Sequence, residues 1–166
     1  SASLRYEDGL LVLGATRGDG RMGDDVTANI KTIRSVPLRL RGEDWPHVLE
    51  VRGEVYWPRA SFNACNEQRE KEGLDPFANP RNATTGSLKS LDSKVIAGRG
   101  LSFVAHGCGE IVGAEFETAD AMFQAFRRWG VPVSPDGRVC RNIDEVVRFI
   151  AEWDERRHGI GFETDG

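Results

Sequence analysis

The sequence has no long hydrophobic run. Its apolar stretches, such as residues 10–13 and 101–105, span only a few residues, whereas a transmembrane helix needs about 20 apolar residues. Residues 1–5 show no apolar segment of the kind that secretory signals carry. We therefore expect neither a membrane span nor a membrane partner.

Cysteine is scarce and scattered. The three cysteines, Cys65, Cys108 and Cys140, are far apart, and no Cys-x-x-Cys pair occurs. A zinc ribbon or a disulfide framework is therefore not expected. The three histidines also lack the spacing of a metal site. Unpaired thiols are typical of a reducing compartment, which predicts a cytoplasmic protein.

An excess of positive charge is missing as well. The 22 basic residues are outnumbered by 26 acidic ones, which gives a net charge of −4. The chain thus lacks the overall basic charge of many nucleic-acid-binding domains, although a local patch can still serve DNA. A length of 166 residues with 39% hydrophobic residues predicts one globular domain, or two at most.

The apolar pattern predicts a mixture of strands and helices. Two short runs flank Asp8-Gly9 and end near Thr16, which is typical of a hairpin with a type I′ turn. Alternation predicts further strands over residues 48–57 and 101–106, the latter ending among Gly107 and Gly109. Helical signals lie at residues 58–71, 81–91, 118–129 and 144–157, and in a segment that begins at Asp24 or Asp25 and ends before Pro37. The order predicts an α+β fold with mainly antiparallel sheet and flanking helices.

The apolar stripes of the last two predicted helices have a simple interpretation. Residues 121–129 and 147–153 place methionine, aromatic and aliphatic side chains at helical spacing. We expect both stripes to pack in the core.

Gly18-x-Gly20-x-x-Gly23 follows a predicted strand and precedes a predicted helix. One interpretation is the dinucleotide fingerprint of a Rossmann-type oxidoreductase. A parallel strand-helix-strand unit is required for it, and the hairpin argues against one. The alternatives are a plain turn with positive φ angles, or a phosphate or ribose site of another fold with Arg17 as its cation.

Glu50, Arg52 and Glu54 lie on one face of the strand predicted over residues 48–57. They form either a solvated face with cross-strand ion pairs or the floor of a nucleotide pocket. In the second case Glu54 accepts hydrogen bonds from ribose hydroxyls. Gly53 then lets a ligand approach the backbone.

Residues 77–89 form a polar loop that opens a short helix. Its N–H groups and Arg81 can hold phosphate, and the alternative is an ordinary Asn-Pro turn. His106 ends an apolar strand, where a histidine is more often a satisfied core residue than a catalyst.

Together these stretches resemble one family. Residues 5–9, 14–20, 23–29, 49–55, 77–83, 86–88 and 161–166 look like the adenylation domain of bacterial NAD-dependent DNA ligases, in the family's order and over nearly the whole chain. The resemblance implies a nucleotidyltransferase-type fold and a single partial adenylation domain over residues 1–166.

The resemblance also implies a reaction. A lysine attacks the α-phosphorus of NAD, releases nicotinamide mononucleotide and keeps AMP. AMP then moves to the 5′-phosphate of a nick in double-stranded DNA, and the 3′-hydroxyl seals the strand. Mg²⁺ assists the transfer, and zinc belongs only to parts of the parent protein outside this chain.

Site residues carry over by motif. Glu54 matches the glutamate that meets the AMP ribose, and Asp165 matches an acidic residue linked to the metal. His106 stands where the family usually has a tyrosine stacked on adenine. Arg17 matches an arginine of the nucleotide pocket and Arg81 one that handles phosphates.

Lys89 stands where the family usually has a second arginine, so the charge is kept but the bidentate fork is lost. The nucleophile of the family sits in a Lys-x-Asp-Gly motif just before the position of Ser1. Lys89 does not lie in such a motif, and neither do Lys31, Lys71 and Lys94. We therefore expect this piece alone to be inactive. The alternative is a non-catalytic module of the same descent that binds a nucleotide or a partner.

Overall fold

The computed structural model describes residues 1–20 and 22–164. Its centre is one antiparallel sheet of four strands in the order β2-β1-β3-β4. The strands are β1 (Ala2–Glu7), β2 (Leu10–Thr16), β3 (Val48–Tyr56) and β4 (Ser102–Val112). The helices of the described residues are α1 (Thr27–Ile30), α2 (Arg59–Lys71), α3 (Pro80–Leu88), α4 (Ser93–Ala97), α5 (Ala119–Trp129) and α6 (Ile143–Arg156). None of these helices is long and apolar enough to cross a membrane.

The β1–β2 hairpin turns as predicted. Asp8 and Gly9 have φ angles of 47° and 75°, the two positive values that a type I′ turn requires. Both neighbours of β1 are antiparallel to it, and β2 lies at the edge of the sheet. A Rossmann site would need parallel neighbours at this point. The oxidoreductase hypothesis is therefore wrong.

One face of the sheet carries the core, because side chains alternate along each strand. Leu4, Tyr6 and Val51 are completely buried on this face. Helix α5 contributes Phe126 and Trp129 to the same core cluster. The apolar stripe of residues 121–129 thus packs as predicted, and the opposite face of the sheet keeps its charged side chains.

The helix predicted to run from Asp24 or Asp25 towards Pro37 is much shorter than expected. Only Thr27–Ile30 is helical, and the following turns are closed by bonds three residues apart, such as the Ile33 N–H to the Ile30 carbonyl at 3.0 Å. The Val26 N–H donates to the carbonyl of Gly14 on β2 at 2.8 Å. This tie to the sheet and the burial of Ile33 and Val36 outweigh the helical pattern.

Strand β4 continues past the glycines at which it was predicted to end. Its pairing with β3 shifts register at two points, so extra residues of β4 stand opposite Arg52–Gly53 and Glu50. Such bulges bend a strand without ending it. At Gly109 a Cβ would come within 2.4 Å of the Glu50 carboxyl carbon, so only glycine fits there without a shift of that side chain.

The apolar stripe of α6 does not pack in the core, contrary to expectation. No α6 residue is buried, and the side chains of Val147 and Ile150 are 59% and 62% exposed. The residues that the structure describes place no further element over this stripe. Periodicity reports that a helix is amphipathic, but it cannot say whether a partner is present.

Candidate functional site

The solvent-facing side of the sheet carries a layer of hydrogen-bonded charges. Glu50 accepts from the Ser3 hydroxyl at 2.8 Å and from Arg52 Nε at 3.0 Å. Arg5 Nη1 donates to Glu110 on β4 at 2.6 Å. Around Glu50 the face therefore matches the simpler interpretation from the sequence, a layer of cross-strand ion pairs.

Glu54 and His106 form a pair at one end of this face. Nε2 of His106 lies 3.7 Å from Oε1 of Glu54, and the side chains of His106 and Glu54 are about half exposed, at 56% and 47%. His106 has no partner in the β3–β4 register, because Gly53 pairs with Ala105 and Arg52 with Gly107. The bulge turns His106 outward. It is thus an accessible side chain and not a core histidine.

The carboxyl group of Glu54 is held in its charged form. The Ser1 hydroxyl donates a hydrogen bond to this carboxyl group, and a half-exposed glutamate is ionised at neutral pH because its ordinary pKa is about 4.3. An ionised carboxylate is a pure acceptor, which suits it to bind hydroxyl groups.

Arg17 lies at the same end of the sheet. Its backbone N–H donates to the carbonyl of Ser1 at 3.2 Å, and the Ser1 hydroxyl donates to Glu54. The glycine-rich turn that follows is a true turn, since Gly18 and Gly20 have φ angles of 53° and 92°. The Arg17 side chain is exposed and makes no ion pair within the described part of the chain.

Helix α3 begins at the Asn-Pro dipeptide, so this stretch is more than a simple turn. The Asn79 side chain caps it by accepting from the Asn82 N–H at 2.8 Å, with Pro80 in the first turn. Thr84 and Ser87 are buried although they are polar, because each hydroxyl donates to the carbonyl four residues earlier.

Arg81 and Lys89 are exposed at the two ends of α3. They are eight positions apart, which on a helix gives roughly 12 Å of rise and about a quarter turn between them. Lys89 Nζ lies 2.8 Å from Asp24 Oδ2, and this contact lowers the pKa of Asp24. Asp24 in turn pairs with Thr16 through its backbone N–H and carbonyl.

The structure therefore brings four of the predicted residues towards one end of the sheet. Glu54 contacts His106 directly, Arg17 is linked to Glu54 through Ser1, and Lys89 is linked to the Arg17 segment through Asp24. Arg81 lies at the first turn of α3.

Asp165, the residue predicted for a metal, lies outside the described residues. Within residues 1–20 and 22–164 no three His, Cys, Asp or Glu side chains form a group that could hold a metal ion.

Gly53 has a different role from the one predicted. A Cβ at this position would point towards β4, 2.3 Å from both the Phe103 ring and the Val104 carbonyl oxygen. The missing side chain thus makes room for protein packing and not for a ligand.

Arg99 was not identified from the sequence. Its guanidinium lies over the rings of Trp57 and Phe77, 5.6 and 5.1 Å from their centroids, and donates to the Ser87 hydroxyl. It lines an open groove of about 510 Å³ beside α3. No local pattern marks such a residue, because its ring partners come from distant parts of the chain.

The fold and the site together define a class of protein. This is an α+β domain whose antiparallel sheet presents an acceptor carboxylate and an imidazole beside exposed cations. Such a set can bind a ligand that carries hydroxyls, a planar ring and phosphates.

The family model of the NAD-dependent DNA ligase adenylation domain matches residues 1–166. The chain belongs to this family.

Curated relatives agree with this assignment. A DNA ligase of Azotobacter vinelandii is 48% identical over 167 residues, which cover 100% of this chain and 21% of the relative. A DNA ligase of Xanthomonas euvesicatoria is 50% identical over 165 residues, covering 99% and 20%. One of Kocuria rhizophila is 47% identical over 166 residues, covering 100% and 22%. The chain thus spans about a fifth of the length of the curated relatives it matches.

Proposed function

We propose that this chain supplies part of the AMP-binding site of an NAD-dependent DNA ligase. The observation that carries the proposal is the Glu54–His106 pair at 3.7 Å, beside the Arg17 turn, in a chain of the adenylation-domain family. The ionised Glu54 carboxylate accepts hydrogen bonds from the ribose hydroxyls. The exposed imidazole of His106 stacks against adenine, in the place where a tyrosine is usual.

The cations of the site take the phosphates of NAD. Arg17 offers a planar fork to a phosphate at the sheet end. Lys89 supplies a second charge from the end of α3, once its contact with Asp24 is exchanged for phosphate. Arg81 lies at the opposite end of α3 and handles phosphate farther from Glu54.

We place the nucleophilic lysine outside this chain. Lys89 forms an ion pair with Asp24 at 2.8 Å, and its proposed role is to bind phosphate. Lys31, Lys71 and Lys94 lie at or near the ends of α1, α2 and α4, outside any Lys-x-Asp-Gly motif. In the parent protein, attack on the α-phosphorus forms a P–N bond, and the P–O bond to nicotinamide mononucleotide breaks.

The later steps belong to the parent protein. AMP passes to the 5′-phosphate at a nick in double-stranded DNA, and the 3′-hydroxyl displaces it to seal the strand. The net charge of −4 gives this chain little overall electrostatic attraction to the DNA phosphates, so we assign most of the DNA binding to other parts of the parent protein. We place this chemistry in DNA replication and repair in the cytoplasm.

The proposal is tested by transfer of labelled AMP from NAD to the full-length ligase that carries this chain. We expect Glu54→Ala to lower the rate about 10- to 100-fold, because a charge-assisted hydrogen bond contributes about 1.5–3 kcal/mol. ATP should give no labelling in the same assay.

Glu110→Ala is the matched control. Glu110 lies on the same sheet face, with a side chain 55% exposed against 47% for Glu54, and it pairs with Arg5. This variant should keep its rate. Normal labelling of Glu54→Ala, or an equal loss in the control, would contradict the assignment.

A further inference from the structure

Asn29 is a buried polar residue that the proposed reaction does not use. It lies on α1 and is only 5% exposed. A polar group in such a place is costly unless it is hydrogen-bonded. Its Nδ2 donates to the carbonyl of Leu88 at 2.8 Å and to the carbonyl of Ser90 at 2.7 Å.

These two bonds cap the C-terminal end of helix α3 with a side chain that comes from another part of the chain. The last carbonyls of a helix have no partner within it, and α3 does not close with a left-handed glycine, since Lys89 at its end has a φ of −93°. The Asn29 amide satisfies the Leu88 carbonyl instead. A primary amide carries two N–H donors on one nitrogen, whereas a serine offers one donor and an ionised aspartate none.

The bonds fall on both sides of Lys89. The carbonyls of the residues before and after it are tied to Asn29, and its ammonium contacts Asp24, which lies five positions before Asn29 in the same segment. That segment is joined to β2 at Thr16, the neighbour of Arg17. One short stretch of chain therefore sets where Lys89 stands relative to Arg17.

We propose that Asn29 is a positioning residue that holds Lys89 beside Arg17 for the phosphates of the nucleotide. The inference rests on the proposed function, because it assumes that Lys89 binds phosphate. The Asn29 amide bonds only to backbone and acts through Lys89.

A double-mutant cycle on the full-length ligase tests this inference. Asn29→Ala should lower the rate of AMP transfer from NAD about 10- to 100-fold, as misplacing a binding group by an ångström does. In a Lys89→Ala background the same change should cost less than about twofold, because the group it positions is already gone. If Asn29 only stabilised the fold, the two substitutions would act independently, and their losses of rate would multiply in the double variant.

Asn66→Ala is the matched control. The Asn66 side chain also makes two backbone hydrogen bonds, with the Phe77 carbonyl at 3.1 Å and the Phe77 N–H at 2.8 Å, before the start of α3. Its effect should multiply with that of Lys89→Ala. Rates are compared at equal folded fraction, which circular dichroism measures. If Asn29→Ala does not fold, Asn29→Ser replaces it, since one donor remains.

The outcomes separate the two ideas. Multiplying effects of Asn29→Ala and Lys89→Ala overturn the positioning role while leaving the proposed function intact. Full activity of Lys89→Ala alone also overturns the positioning role of Asn29, because Lys89 would then not be needed to bind phosphate. The Glu54→Ala variant tests the AMP site independently of that result.

Discussion

At the scale of single residues, position in the strand decides the role of each charge on the sheet face. Glu50 and Glu54 share that face. Glu50 accepts from Ser3 and Arg52 within the sheet, whereas Glu54 accepts from Ser1 and faces a half-exposed histidine at the end of the sheet. The strand period predicts that both point the same way. It does not distinguish a carboxylate in the middle of the charged layer from one at its end beside an exposed imidazole.

Arg17 gives a prediction at this scale. Its side chain is exposed at the start of a turn, so Arg17→Ala should change the unfolding free energy by less than about 0.5 kcal/mol. AMP transfer by the full-length ligase should fall, and Arg17→Lys should recover part of the rate because charge returns without the fork. Stopped-time labelling and thermal melts measure the two effects.

Arg34→Ala serves as the control for Arg17, since Arg34 is also exposed and lies outside the site. It should keep both activity and stability. An Arg17→Ala protein that loses its fold would show that the arginine is structural.

At the scale of elements, the pairing of strands β3 and β4 requires glycine at one position and not at another. Gly53 faces Phe103 and the Val104 carbonyl at 2.3 Å from a built Cβ, whereas a Cβ on Gly107 would meet nothing within 4 Å. The bulge beside them exposes His106. The site thus depends on how two strands fit together.

Gly53→Ala should therefore destabilise the chain by about 1–3 kcal/mol, the usual cost of overpacking a core. The clash is with backbone as well as with a ring, so side-chain rearrangement alone cannot relieve it. Gly107→Ala should change the stability little. Urea unfolding of both variants measures the difference, and equal midpoints would show that β4 shifts to accept the methyl group.

At the scale of the whole molecule, the acidic residues make stability depend on pH. Hydrogen bonds and nearby cations hold the pKa values of several carboxyl groups below their ordinary range. These groups are Asp24, Asp25, Asp44, Glu50, Glu145 and Glu152. The folded state thus binds fewer protons than the unfolded state in mild acid.

A folded pKa below the unfolded one gives stability that is present above the unfolded value, about pH 4, and is lost as the pH falls further. We expect the urea midpoint to fall between about pH 6 and pH 3. Asp44→Asn should weaken that dependence, because the Trp129 indole hydrogen bond lowers the pKa of Asp44 and an amide does not titrate. A midpoint that is constant or rises on acidification would contradict this account.

The sequence by itself determined the features that depend on neighbours in the chain. The Asp8-Gly9 dipeptide predicts the hairpin turn, since both residues adopt the positive φ angles that it requires. The strand period predicts β3. Local end signals and apolar spacing predict α2, α3 and α5. The family motifs are equally local, because each is a short run of consecutive residues, so the order of the residues alone is enough to recognise them.

Only the tertiary structure decided the rest, because those features depend on residues far apart in the chain. The bond from Val26 to Gly14 and the burial of Ile33 shorten the helix predicted after Asp25. A register shift against β3 extends β4 and exposes His106. Asn29 meets the carbonyls beside Lys89 across about sixty positions of chain, a contact that no periodicity or motif can report, since hydrogen bonding across the fold has no local signal.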